Sequence, residues 1–273
     1  MNIAFLLALN NSFVLSMKVF LLSLLKTNPW FDYDILLLSD GNLSQENTLS
    51  LKSIYKKIKV IEANKNDYNN CLPTIQTWGY NLYYRFDVFD MDELGYDRII
   101  VFDSDMVFLK DIKELFIYKN DFAACKKHLN ISEIYPENPI EQRRQRFNCG
   151  LMSISKNILN KKIKKDLIKL ATEKSWTSDQ PIFNIYFADS VFYIPQIFNV
   201  VSAIATKQLL DDCVILQYHG FVKPWHNVDA EQCFHDEIKH EILKSSNNII
   251  SYKQTIKQLK NIFDSYSNIA KNY

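Results

Sequence analysis

The stretch Arg98-Ile99-Ile100-Val101-Phe102-Asp103-Ser104-Asp105 runs from a continuous apolar segment into two carboxylates two residues apart. An apolar run without polar alternation reads as a strand covered on both faces, the usual situation in a parallel sheet flanked by helices. Two neighbouring carboxylates at its end resist unpaired burial, because desolvation and mutual repulsion act together. They either face water or hold a cation, and the rest of the chain has to decide which.

Working outward, residues 3–9, 33–39 and 59–62 read as strands, and residues 13–26 and 43–55 as helices. In the first of these helices Ser16, Lys18 and Ser23 are expected to form a polar edge. A helix is expected over about residues 76–92, leading into the strand 98–102. Further on, 147–155 reads as a strand, 158–171 as a lysine-rich helix, and 178–187 as a helix with Asp179 in its first turn. Strand and helix alternate, so the expectation is an α/β fold with a mostly parallel sheet between helices. One domain is expected over residues 1–228, with a helical C-terminal extension over 229–273. In such sheets ligands bind beyond the carboxyl ends of the strands, which is where Asp103 and Asp105 fall.

Composition narrows the class. The chain has 273 residues, 47% hydrophobic, with a formal net charge of +1, enough for one large core and too balanced for a nucleic-acid footprint. The apolar N-terminus lacks a preceding Lys or Arg and is interrupted by Asn10-Asn11-Ser12, so it reads as a strand rather than a secretion signal. No segment is long and apolar enough for a membrane span. Five dispersed cysteines without C-x-x-C spacing argue against a disulfide framework or thiolate zinc site, and the cytoplasm is the expected compartment.

With only five glycines there is neither a dinucleotide fingerprint nor a phosphate-cradling loop. A bound diphosphate would have to be met by metal and basic side chains. Asp103 and Asp105 can offer oxygen ligands to a hard divalent cation, although a lone D-x-D also suits a solvated turn.

Four further features bear on that choice. They are Phe147-Asn148-Cys149-Gly150-Leu151-Met152, the helix start Ser178-Asp179-Gln180-Pro181, the segment Tyr218-His219-Gly220-Phe221-Val222-Lys223-Pro224-Trp225, and Arg85 ahead of the D-x-D strand. In this order, from residue 3 to about residue 226, the chain resembles glycogenin and the related bacterial galactosyltransferases, the retaining family 8 glycosyltransferases of the GT-A fold.

The resemblance implies roles. Asp103, Asp105 and His219 match the family's metal ligands, usually for manganese, with magnesium as the alternative. Ser104 between the aspartates and Gly220 beside His219 belong to the same donor-binding segments. Lys223 matches the residue that meets the donor diphosphate, and Arg85 a basic residue near the donor. Residues 8–13, including Ala8, Asn10, Asn11 and Phe13, match the loop that cradles uridine, with Phe13 against the uracil. Asn148, Asp179 and Gln180 match positions that contact the donor sugar. Taken alone, His219 reads as a hydrogen-bonded structural histidine, Asp179 as a carboxylate serving a helix N-terminus, and Phe13 as a core aromatic.

Departures count as well. Family members often carry an acid shortly before F-N-x-G, where this chain has Arg143-Arg144-Gln145-Arg146. Thr206 falls where glycogenin has its self-glucosylated tyrosine, so glycogen priming is not expected. The implied activity is metal-dependent transfer of a hexose from a UDP-sugar to a hydroxyl of a glycan, glycolipid or protein-linked sugar, with retention and with Asp179, Gln180 and Lys223 at the reacting centre. The alternatives are a sugar nucleotidyltransferase, which usually has a glycine-rich N-terminal loop, and a non-catalytic sugar-nucleotide or glycan-binding protein. In the tail, Ile249, Ile256, Leu259 and Phe263 recur at helical spacing beside several lysines. This stripe either packs on the catalytic domain or rests on the inner membrane surface as a peripheral contact.

Overall fold

The computed structural model describes residues 1–71, 83–126, 146–176, 178–202, 205, 207–218, 223–225 and 249–273, of which 207–208 and 249–256 by backbone only. In chain order the elements are β1 (Ile3–Ala8), α1 (Val14–Thr27), β2 (Asp34–Ser39), α2 (Gln45–Ile54), β3 (Ile58–Glu62), β4 (Arg98–Phe102), β5 (Met106–Phe108), β6 (Phe122–Lys126) and β7 (Phe147–Ser155). They continue as α3 (Lys161–Glu173), α4 (Gln180–Tyr186), β8 (Phe192–Ile194), β9 (Val200–Val201), α5 (Lys207–Asp212), β10 (Ile215–Gln217) and α6 (Ile249–Ala270).

A seven-stranded sheet in the order β3-β2-β1-β4-β7-β6-β8 forms the centre. The pairs β1–β2, β2–β3, β1–β4 and β6–β8 are parallel, while β7 runs antiparallel to both β4 and β6. The fold is thus the mixed α/β, mostly parallel architecture expected. Ile3, Phe5 and Leu7 of β1 join one hydrophobic cluster and Ala4 and Leu6 the other. Alternate side chains leave a strand on opposite faces, so both faces of this strand are covered, as its unbroken apolar run requires.

A second sheet, β5-β10-β9, has no counterpart in the sequence reading. Its strands are two or three residues long, too short for a periodicity to show. Asp103, Ser104 and Asp105 link the two sheets, joining the end of β4 to the start of β5.

Two local expectations change. Ser16 and Ser23 are buried rather than forming a polar edge. Ser23 Oγ donates to Phe20 O at 3.0 Å and accepts from Phe108 N at 3.1 Å, so it ties α1 to the small sheet. Of the helix expected over 76–92, residues 76–82 lie outside the described residues. The remainder is a 3-10 helix, Tyr84–Asp90. With three residues per turn, positions i and i+3 stack, and this brings Asp87 and Asp90 to the same cation. That cation is Lys164 of α3, buried, with Nζ 2.6 Å from Asp67, 2.7 Å from Asp87 and 2.6 Å from Asp90.

Leu259, Phe263, Tyr266 and Ala270 of α6 are buried, and the first three form a cluster with Val19 of α1 and Leu216 and Tyr218 of the small sheet. Tyr218 Oη donates to Leu259 O at 2.7 Å. Within the described residues, then, Leu259 and Phe263 pack on the protein; the side chains of Ile249 and Ile256 lie outside them. No helix among the described residues is long and apolar enough to cross a membrane.

Candidate active site

The chain between the two sheets is pinned on both sides. Asp103 N donates to Gly150 O at 2.9 Å, extending the β4–β7 ladder, and Tyr218 N donates to Asp105 O at 2.9 Å beside β10. Ser104 and Asp105 are buried, and Asp103 is half-buried. The pair is therefore not a solvated turn.

Three cationic or polar groups converge on it. Arg85, on the 3-10 helix, donates from Nη1 to Asp103 Oδ1 at 2.7 Å and to Cys149 O at 2.8 Å. Its Nε and Nη2 donate to Asp179 Oδ2 and Oδ1, both at 2.7 Å. Lys223 Nζ lies 2.5 Å from Asp105 Oδ2 and donates to Tyr218 O at 2.7 Å. Gln217 Nε2 donates to Asp103 Oδ2 at 2.5 Å and reaches Asp105 Oδ1 at 3.4 Å. The two aspartates thus turn oxygens towards one point.

Electrostatics follow from burial. Desolvation pushes the Asp103 carboxyl up to about 6; Asp105 and Asp179 add to the shift, and Arg85 and Lys223 oppose it. Burial works against the charge of Arg85, but Asp179 and Asp103 overcome it and hold its pKa above the ordinary value. Among the described residues three carboxylates face two cations, an excess of one negative charge around the meeting point. Gln217 Oε1, turned towards Gly150, is buried without a hydrogen-bond partner among the described residues. Hard oxygen donors with net negative charge fit a divalent cation.

Around this centre, Asn148 Oδ1 accepts from Gly150 N at 2.6 Å and Gln180 Oε1 accepts from Cys149 N at 3.1 Å. Asn184 holds the same strand end, accepting from Phe147 N and donating to Phe147 O, both at 2.9 Å. Asn148, Asp179 and Gln180 are thereby gathered beside Asp103. Asp179 occupies the N-cap of α4 but makes no side-chain capping bond; its carboxylate serves Arg85 instead. Asp179 thus stands at the helix start, as the sequence suggests, with its carboxylate turned to Arg85 rather than to the helix N–H groups.

The loop after β1 lies next to the D-x-D turn, since Leu7 pairs with Phe102. Ala8 ends the strand, and Asn10 Oδ1 accepts from Ser12 N at 2.9 Å. Asn11 is committed to the adjacent loop, donating to Asn42 O at 2.6 Å and accepting from Ser44 N at 3.1 Å and Asn47 Nδ2 at 2.9 Å. Phe13 is half-buried against the edge of a core cluster and meets Trp225 edge-on with ring centroids 5.8 Å apart.

His219 and Gly220 lie outside the described residues, as do Arg143, Arg144 and Thr206. Gln217 is the residue that sequence reasoning missed. Its signal was a polar residue closing the apolar run Val214-Ile215-Leu216, two positions before the histidine that drew attention. Among the described residues the compact acidic cluster is Asp67, Asp87 and Asp90, and the Lys164 ammonium already stands between its three carboxylates. It is separate from Asp103 and Asp105.

The family model "Glycosyl transferase family 8" matches residues 4–229. A lipopolysaccharide 1,2-glucosyltransferase of Escherichia coli (strain K12) is 22% identical over 180 residues, 59% of this chain and 53% of the relative. A lipopolysaccharide 1,3-galactosyltransferase of Salmonella typhimurium is 24% identical over 189 residues, 58% of this chain and 53% of the relative. The chain thus spans about half the length of the curated relatives it matches. Among solved structures, the galactosyltransferase LgtC in complex with donor and acceptor sugar analogs superposes with a TM-score of 0.65 at 17% identity, covering 87% of this chain and 95% of that one. That likeness concerns the fold, which is the GT-A architecture. Carried by the family match over most of its length, the chain belongs to glycosyltransferase family 8.

Proposed function

We propose that this chain transfers a hexose, glucose or galactose, from a UDP-sugar to a hydroxyl of a lipid-linked or other cell-envelope glycan, with a divalent cation and with retention. The observation that carries the reading is the convergence of Asp103, Asp105 and Lys223 at the carboxyl end of β4, where α/β sheets bind ligands. That the relatives are lipopolysaccharide glucosyl- and galactosyltransferases supports the acceptor class.

Asp103 and Asp105 would hold the cation, manganese or magnesium, with His219 in the ligand set that the family resemblance gives. When bound, the cation supplies Lewis-acid stabilisation of the departing diphosphate. Lys223 stands beside Asp105 and offers a positive charge that gains most as the leaving group becomes more negative. Arg85 fixes Asp179 and Asp103 together, so the sugar-facing carboxylate and the cation site keep one geometry. Asn148 and Gln180 border the sugar, and the loop of Ala8, Asn10, Asn11 and Phe13 receives the uridine. Ser104 would line the donor, and the family resemblance gives Gly220 the same role. The lysines of the C-terminal region favour work at an anionic inner membrane surface, testable as salt-sensitive co-sedimentation with anionic vesicles.

The test is donor hydrolysis. Incubation with manganese and a panel of UDP-sugars should release UDP slowly from one donor, and Asp103→Asn or Asp105→Asn should abolish release without unfolding the chain. Thermal stability should rise more with UDP plus manganese than with UDP alone, because ligands that bind only the native state stabilise it. An equal UDP shift in chelator overturns the cation role. A stable complex with no turnover of any donor overturns catalysis and favours a binding protein.

A further inference from the structure

Gln217 closes β10, pairs in register with Met106, and is 3% exposed. Its Nε2 donates to both carboxylates of the D-x-D pair, while Oε1 is buried with no partner. The orphan oxygen rests against Gly150: a Cβ there would stand 2.5 Å from Oε1. A larger residue at 150 would push the amide out of this place. A buried carbonyl oxygen without a hydrogen bond is costly, so the arrangement calls for a reason.

The two ends of a carboxamide differ little in size, and its last torsion is soft and roughly two-fold. A half-turn of the amide would bring Oε1 to the position from which Nε2 now bridges Asp103 and Asp105. That position is where both carboxylates point and where, among the described residues, carboxylates outnumber cations. An N–H donor serves there without a cation, and a carbonyl oxygen serves there with one.

We propose that Gln217 is a protein ligand of the cation through Oε1, completing an all-oxygen set with Asp103 and Asp105. This rests on the reading of the site as cation-dependent. Glycine at 150 is then part of the site, because it admits the amide. Two carboxylates and a carboxamide favour hard cations such as magnesium and manganese over softer ones.

The test uses the full chain with UDP and measures manganese binding by the electron paramagnetic resonance signal of the free ion. Gln217→Met keeps the volume and removes the oxygen; it should weaken binding at least about tenfold, the scale on which partners in a cation site act. Gln217→Glu restores an oxygen and adds charge, and should bind manganese as tightly as wild type or tighter. Gly150→Ala should weaken binding by displacing the amide. Gln217→His should add affinity for cobalt with a visible ligand-field spectrum, because it substitutes an imidazole for an amide oxygen. The assignment is overturned if folded Gln217→Met binds like wild type or if Gln217→Glu binds more weakly than wild type. Absence of manganese binding by wild type itself overturns the cation-dependent reading, and this assignment with it. Should Gln217→Met fail to fold, the Gln217→Glu result decides.

Discussion

Arg85 and Asp179, 94 residues apart in the chain, form a two-point ion pair in which Nε and Nη2 each donate at 2.7 Å to a different carboxylate oxygen. The Asp179 side chain is 1% exposed and that of Arg85 12%, so water screens the pair little. The third guanidinium nitrogen reaches Asp103, which makes Arg85 the bond between the helix start that carries Asp179 and the D-x-D turn.

Arg85→Met should lower unfolding free energy by roughly 3–5 kcal/mol, because it strands a buried carboxylate. Arg85→Lys should recover only part of this, since an ammonium cannot reproduce the planar fork. Urea unfolding of the two variants checks both statements, and a lysine variant as stable as wild type would contradict the two-point geometry.

Lys164 lies among three carboxylates, which hold its ammonium above its ordinary pKa against the opposing effect of burial. Lys164→Met should therefore cost roughly 3–5 kcal/mol. Lys162→Met, on the same helix, removes an exposed pair with Asp166 and should change stability by less than about 0.5 kcal/mol. Parallel denaturant titrations separate the two cases.

Burial pushes the Cys71 thiol up to about 11 and the Cys213 thiol up to about 12; it also raises that of Cys125. At pH 8 the Cys71 thiolate fraction is then about one in a thousand, so alkylation mapped by mass spectrometry should spare these residues until the chain unfolds. The linkage has a definite sign. Unfolded thiols ionise near about pH 8.5, so the stability these groups contribute is present below that pH and is lost as pH rises towards 11 to 12. Urea midpoints should fall across that alkaline range.

Phe263 of α6 is buried, with ring centroids 5.6 Å from Tyr218 and 5.4 Å from Trp225. Phe263→Ala should cost roughly 3–5 kcal/mol, as truncation of a core aromatic does. Removal of residues 249–273 should lower the thermal midpoint further and promote aggregation, by uncovering the apolar side of α1. Unchanged melting of the shortened chain would show α6 to be dispensable to the fold.

By itself the sequence determined the central sheet and its surroundings, because continuous apolar strands and amphipathic helices carry their burial in their own periodicity. β1, β2, β4 and β7 could be read this way, and so could the position of Asp103 and Asp105 at a strand end. The order of the motifs also disclosed the family. Tertiary structure alone decided what those residues touch. The pairing of Arg85 with Asp179 is set by the packing of a 3-10 helix against a helix start far along the chain. The second sheet is held by register with β5 rather than by any pattern within its short strands. Gln217 meets the two aspartates only because that register places the end of β10 beside Met106 and because Gly150, on another strand, leaves the space. Local propensity fixes which segments form strands and helices. Side-chain partnerships between distant segments depend on how those segments pack, so a polar residue's neighbours become visible only in three dimensions.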